Sequence, residues 1–263
     1  MEKDESAVLD PAWFDAIPVR LSRRRFSDRP VVPADLERLR TFCAAFWPYQ
    51  PVHVELIEDA ANDVFTGLVG SYGKIDGARW VAAFVGPADG DLEIGYTGEA
   101  FILEASRLGL DTCWIAGSFD KQRAARLVEL EGDQRVVAIT PVGYALERQP
   151  IGERLLRSAV RATSRRPVAA LAPGIGAGWP AWAVAAVEAA RRAPSGANKQ
   201  PWRFRLEGGS LVMGRAEKLY WTAPIDFGIA MLHIELAAAH AGVSGGWERL
   251  GGPDVASFSL QTA

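Results

Sequence analysis

The segment EIGYTGEAFILEASRLGLDTCW, Glu93 to Trp114, lies without a gap over DFGIAMLHIELAAAHAGVSGGW, Asp226 to Trp247, at a constant offset of 133 positions. Gly95 falls on Gly228, Leu103 on Leu236, Ala105 on Ala238, Gly109 on Gly242 and Trp114 on Trp247. A fixed offset across a whole element marks a duplicated unit, which must build the same local structure twice. Earlier in each half, AFWPYQPVHV from Ala45 lies loosely over ARRAPSGANKQPWRF, with Gln50-Pro51 facing Gln200-Pro201 at an offset of 150. The first half therefore carries an insertion of roughly 17 residues between the two blocks. Chance likeness of two alanine-rich helices accounts for one window, but not for the same order of helix, Gln-Pro strand, glycine-bearing helix and tryptophan in both halves.

The apolar spacing fills in that order. From Pro33, Leu36, Leu39, Phe42 and Phe46 recur at helical intervals, and VHVELIE then alternates as a strand. Residues 78–86 are an apolar strand candidate, Gly95 to Leu108 a buried helix stopped at Gly109, and Arg135 to Ala145 a β-branched strand. In the second half, residues 179–193 read as a helix and WRFRLEGGSLVMG as two strands about a Gly-Gly turn. Ile225 to Ala241 is again a helix, and DVASFSL a closing strand. This pattern predicts an α+β fold, a mixed or antiparallel sheet core with helices around it. It forms one domain over 1–263 from pseudo-symmetric half-repeats of about 1–150 and 151–263.

Composition removes several classes. A formal net charge of -3 gives no global positive field for nucleic acid or an anionic membrane. Two cysteines, Cys43 and Cys113, are too few for a disulfide framework or a four-cysteine metal site, which fits a reducing cytoplasm. The acidic start MEKDESAVLDPAWF has no basic-then-apolar signal pattern, and no apolar run is long enough to span a bilayer. A cytoplasmic protein that binds neither membrane nor nucleic acid is expected.

Two segments carry candidate chemistry. Arg20-Leu21-Ser22-Arg23-Arg24-Arg25-Phe26 offers guanidinium and hydroxyl donors to an anion, although a run of this kind by itself is more commonly a solvated basic turn. Ala193-Pro194-Ser195-Gly196-Ala197-Asn198-Lys199-Gln200-Pro201-Trp202 ends a helix in a loop dense in small and hydrogen-bonding residues. Such residues let a planar ligand approach the backbone, with donors from Ser195 and Asn198.

These segments carry a family resemblance. APSGANKQPW is similar to the APSxxNxQPW signature of the nitroreductase family, RLSRRRF to its RRSxRxF opening with Leu21 in place of the second arginine, and GLDTCWIAG, Gly109 to Gly117, to its GLGTCWxGG segment. IDFGIAMLHIELAA matches the family's buried central helix. The order differs from the ordinary family, in which the Pro-Ser-Asn loop follows the arginine motif closely. Here the first half keeps RLSRRRF and TCWIAG, and the second keeps the loop but has GGW for CW. Ordinary members are homodimers with FMN at the subunit interface. The resemblance therefore implies a divergent branch in which one chain imitates the dimer, with one flavin site and a monomeric state.

What the resemblance implies residue by residue is a cofactor site with no protein catalytic residue. Arg20, Leu21 and Ser22 are placed at the phosphate or ribityl chain, and Arg24 near flavin N1 and O2, where a cation favours the reduced anion. Arg165 of the RRP segment caps the phosphate, with Thr163 standing where the family has a lysine. Pro194, Ser195, Gly196 and Asn198 meet the flavin from the other half, and the backbone of Ile115, Ala116 and Gly117 faces the ring. The implied activity is ping-pong oxidoreduction, NAD(P)H as co-substrate reducing FMN at N5 and a small acceptor such as a nitroaromatic or quinone then taking the electrons. The competing readings are a flavin-binding module without turnover and a degenerate structural homologue.

Other features carry little. GIGAG, Gly174 to Gly178, has no preceding strand and no acidic residue about 20 positions on, so it is read as a loop. His53, His233 and His240 lack metal-ligand spacing, Ser195 has no His and Asp partners in pattern, and Cys113 beside Trp114 is read as packing.

Overall fold

The computed structural model describes residues 2–4, 7–65, 75–147, 164–176 and 178–261. The proposed junction near residue 150 and Thr163 lie outside them. Eight helices are named here: α1 Trp13–Ala16, α2 Pro33–Ala45, α3 Ala61–Val64, α4 Asp91–Arg107, α5 Lys121–Ala125, α6 Val168–Leu171, α7 Ala181–Arg192 and α8 Ala223–His240. The strands are β1 His53–Glu58, β2 Trp80–Gly86, β3 Asp111–Thr112, β4 Arg135–Gly143, β5 Trp202–Glu207, β6 Ser210–Arg215, β7 Gly245–Arg249 and β8 Asp254–Leu260.

The α+β class holds, and the strands divide into two sheets rather than one. Each has four strands, ordered β1-β2-β4-β3 and β5-β6-β8-β7, and every pairing within them is antiparallel. The two orders are the same pattern written twice. Even the irregularity recurs, a register shift between Phe84 and Val85 in β2 and another between Met213 and Gly214 in β6.

The two long helices α4 and α8 pack on each other at the centre. Their crossing is reciprocal: a Cβ on Gly95 would stand 2.0 Å from the Ile225 carbonyl oxygen, and a Cβ on Gly228 would stand 1.8 Å from that of Leu92. Gly228 and Ile225 are Gly95 and Leu92 displaced by 133 positions, so each helix presents the same glycine to the same turn of its partner. This is the contact geometry of a two-fold interface. Both helices also end alike. Gly109 and Gly242 take φ of 75° and 76°, and the Leu110 and Val243 amides donate back to the Ala105 and Ala238 carbonyls at 2.9 and 3.1 Å. A left-handed glycine closing the last turn in this way is the Schellman arrangement.

Burial explains the sequence runs. β2 is covered on both faces: Trp80, Ala82 and Phe84 join the main core, while Val81, Ala83 and Val85 join a second cluster with Phe26, Phe65 and Ile139. That is why WVAAFV reads as continuous rather than alternating. Helix α8 is apolar almost all round because α1, α4 and α7 enclose it.

Candidate flavin site

Residues 20–26 form an extended segment laid along β3 rather than a solvated turn. Ser22 bridges Thr112 in parallel, the Arg23 amide donates to the Thr112 carbonyl at 2.8 Å, and Phe26 bridges Ala145. Arg25 is spent on Asp76, with a 2.6 Å ion pair, and the Asp76 amide donates to the Arg24 carbonyl at 3.0 Å. Leu21 points outward, whereas Arg20 is only 7% exposed, and its Nε is buried without a hydrogen-bond partner. Beyond β3, Ile115 exchanges both backbone hydrogen bonds with Ile139, and Ala116 packs on the main core. Gly117 is exposed, and a Cβ there would stand 2.8 Å from the Trp221 ring. The first-half candidates are thus side by side, and Trp221 of the second half reaches them.

The second-half loop is braced internally. After α7, Pro194 and Ser195 lead into a single 3₁₀ turn, Gly196–Asn198, in which Ala197 and Asn198 have left-handed φ of 48° and 55°, followed by Gln200 at 50°. Such backbone is unfavourable for residues other than glycine and needs support. Ser195 Oγ accepts the Gln200 amide at 2.9 Å, Asn198 Nδ2 donates to the Ser164 carbonyl at 2.8 Å, and Gln200 Oε1 accepts the Arg166 amide at 2.9 Å. Ser195, as an acceptor, holds the turn, and Asn198, with one hydrogen of its amide, ties it to Ser164. Gly196 is required by space, since a Cβ would meet the Thr222 hydroxyl at 2.2 Å.

Arg165 is held within the second half. Arg165 Nη1 donates to Asn198 Oδ1 at 3.2 Å and Nη2 to the Arg192 carbonyl at 3.2 Å. Burial, then the charges of Arg20, Arg191 and Arg192, push the Arg165 guanidinium down to about 10. A half-desolvated cation among other cations is an environment that favours an anion. The charge of Arg20, from the first half, acts on Arg165 of the second, which Asn198 holds.

Three residues of this region, Glu99, Trp221 and Asp226, escaped the sequence reading, and His233 was set aside there for lack of metal-ligand spacing. Glu99 and His233 are fully buried and face each other across the helix pair, Trp221 flanks Gly117, and Asp226 accepts the Gly196 amide at 2.9 Å. Only Asp226 left a trace, falling on the buried Glu93 at offset 133.

Burial pushes the Asp226 carboxyl up to about 8 from an ordinary 3.8, against the opposing pull of the Gly196 amide and the Thr222 hydroxyl. The folded chain therefore holds this proton more tightly than the unfolded chain. The associated stability is complete below about pH 4 and is lost as pH rises towards 8, at no more than about 1.4 kcal/mol per pH unit. Asp226→Asn keeps an acceptor for Gly196 and cannot ionise, so its melting temperature should gain on the wild type between pH 5 and pH 8. An equal difference at both pH values would refute this assignment.

Among the described residues no cluster of three or more His, Cys, Asp or Glu side chains suits a metal ion, and no helix is long and apolar enough to cross a membrane.

A comparison with curated proteins returned no match. The family model described as "Putative TM nitroreductase" matches residues 13–238. The crystal structure of a "putative nitroreductase" from Thermotoga maritima is similar over 98% of this chain and 96% of its own, at 20% identity and a TM-score of 0.63. A nitroreductase family protein from Clostridium difficile covers 63% of this chain with 98% of its own, at 18% identity and a TM-score of 0.44. A nitroreductase with bound FMN from Bacteroides fragilis covers 53% with 91%, at 15% and 0.39. With most of its length matched by the family model and the nitroreductase-like fold running from end to end, this chain belongs to the nitroreductase family.

Proposed function

We propose that the protein is an FMN-dependent NAD(P)H oxidoreductase with one flavin site per chain, built jointly by its two half-repeats and working as a monomer. The observation that supports this reading is that candidate segments of opposite halves meet: the Trp221 ring stands against Gly117, and the charge of Arg20 acts on Arg165, which Asn198 holds. Two features suit a phosphate-bearing cofactor: Arg20 Nε is a buried donor that makes no hydrogen bond, with only the Glu99 carboxyl opposite it at 3.7 Å, and Arg165 is destabilised as a cation by its neighbours. Arg20 and Arg165 grip the phosphate, with Ser22 beside them. Arg24 places a cation toward the ring, and the backbone from Ile115 to Gly117 with the loop from Pro194 to Asn198 forms its walls.

FMN, when bound, supplies the hydride-accepting and hydride-donating chemistry. The protein holds it, limits water and admits NAD(P)H and then an acceptor such as a nitroaromatic or quinone to the same cleft. No protein acid or base is required for the hydride step.

An absorbance spectrum of the purified chain, freed of excess FMN and then treated anaerobically with NAD(P)H, tests the proposal. About one FMN per chain with bands that bleach is the expected result. Bands that persist would point to a binding module without turnover, and no bands after reconstitution would overturn the flavin reading. Light scattering near twice the chain mass of 28.5 kDa would overturn the monomer.

A further inference from the structure

We propose that Glu99, fixed from behind by His233, is a positioning residue that aims the Arg20 guanidinium at the cofactor phosphate. The inference rests on the FMN reading above and assigns a role to a buried pair which that reading does not use.

Glu99 lies in the middle of α4 with no exposed surface and gathers three segments. Its Oε2 accepts the Trp114 indole N–H at 2.7 Å, its Oε1 stands 2.9 Å from His233 Nε2, and the same Oε1 is 3.7 Å from Arg20 Nε. His233, fully buried in α8, points Nδ1 at the Ala189 carbonyl of α7 at 3.0 Å. A carbonyl only accepts, so Nδ1 carries a hydrogen. The ring is thereby fixed, and a single proton lies between Nε2 and Oε1. Glu99 is thus held by one half while it faces the arginine of the other motif.

A carboxylate in an apolar helix is costly to bury, and an apolar residue of similar size would serve packing as well or better. The second half bears this out. At offset 133 the counterpart of Glu99 is Leu232, also fully buried, and the counterpart of Trp114 is Trp247. Trp247 Nε1 is buried without an acceptor, whereas Trp114 has Glu99. The repeated helix pair therefore packs with leucine at this place, and the carboxylate stands only in the half that contributes Arg20. Without it, a nearly buried guanidinium would feel the charge of Arg165 with no opposing charge on the α4 side, and its Nε would lose the carboxylate that fixes the direction of its other nitrogens.

The test compares FMN with riboflavin, which lacks the phosphate, by quenching of flavin fluorescence on the full chain. Glu99→Gln should raise the FMN dissociation constant about tenfold and leave riboflavin unchanged. His233→Gln should show the same selective loss, which keeps the question decidable if Glu99→Gln does not fold. In an Arg20→Gln background, Glu99→Gln should have no further effect on the FMN to riboflavin ratio. A wild type that binds both flavins, with Glu99→Gln unchanged, weakened equally for both, or additive with Arg20→Gln, overturns the positioning role alone. A wild type that binds neither flavin overturns the cofactor reading as well.

Discussion

Alanine at Gly95 or at Gly228 is expected to lower unfolding stability by about 3 kcal/mol or more, at or beyond the top of the range for overpacking. The added methyl would stand 2.0 or 1.8 Å from a carbonyl oxygen of the partner helix. That oxygen belongs to a helical backbone, so it cannot swing aside as a side chain can. The whole α4–α8 crossing must open, and both sets of neighbours move with it. Because the contact is reciprocal, the two single variants should be destabilised alike, and the double variant should lose less than the sum, since one separation of the helices accommodates both methyls. Gly246→Ala, which places its Cβ in open space, is the control and should be near neutral. Urea unfolding measures all four. A single variant within about 1 kcal/mol of wild type would mean that the crossing is looser than described.

Arg165→Gln is the second large effect, and it acts on binding. The guanidinium sits where burial and three arginines act against its charge, which a phosphate dianion would reverse. Charge-assisted hydrogen bonds of this kind contribute about 1.5–3 kcal/mol, so FMN affinity should fall by roughly 10- to 100-fold. Riboflavin affinity should change far less. Arg165 also braces Asn198 at 3.2 Å, and the comparison of the two ligands separates that contribution. Loss of a loop brace would weaken both flavins, whereas loss of a phosphate partner weakens only FMN. Isothermal titration with each ligand distinguishes them, and equal affinity of Arg165→Gln and wild type for FMN would remove Arg165 from the site.

Much of the fold was readable because its elements are long or strongly patterned. The closing strand falls at Asp254–Leu260, the two strands about Gly208-Gly209 fall where the turn signal put them, and the two central helices end at Gly109 and Gly242. Short or polar edges were not readable. β3 is two residues long, and β7, GGWER, combines a glycine pair with charges, so neither shows strand propensity. Helix α4 begins at Asp91, four residues before the predicted Gly95: its N-cap, Gly90, makes no side-chain cap bond, and the start signal it does carry, Asp91 and Glu93 in the first turn, is weaker than the apolar periodicity that begins further on.

The site divides the same way. Arg20, Ser22, Arg165, Ser195 and Asn198 are visible as chemistry because donors crowd in short segments. The duplication, the candidate loop and the arginine motif are local or periodic properties, and the chain determines them by itself. What the chain could not tell is that Ser195 and Asn198 brace their own backbone, that Arg25 is neutralised by Asp76 while Arg20 is buried, or that Glu99 and His233 face one another from positions 134 residues apart. A buried polar group is defined by its partner, and only the packing of α4 against α8 decides which partner it meets.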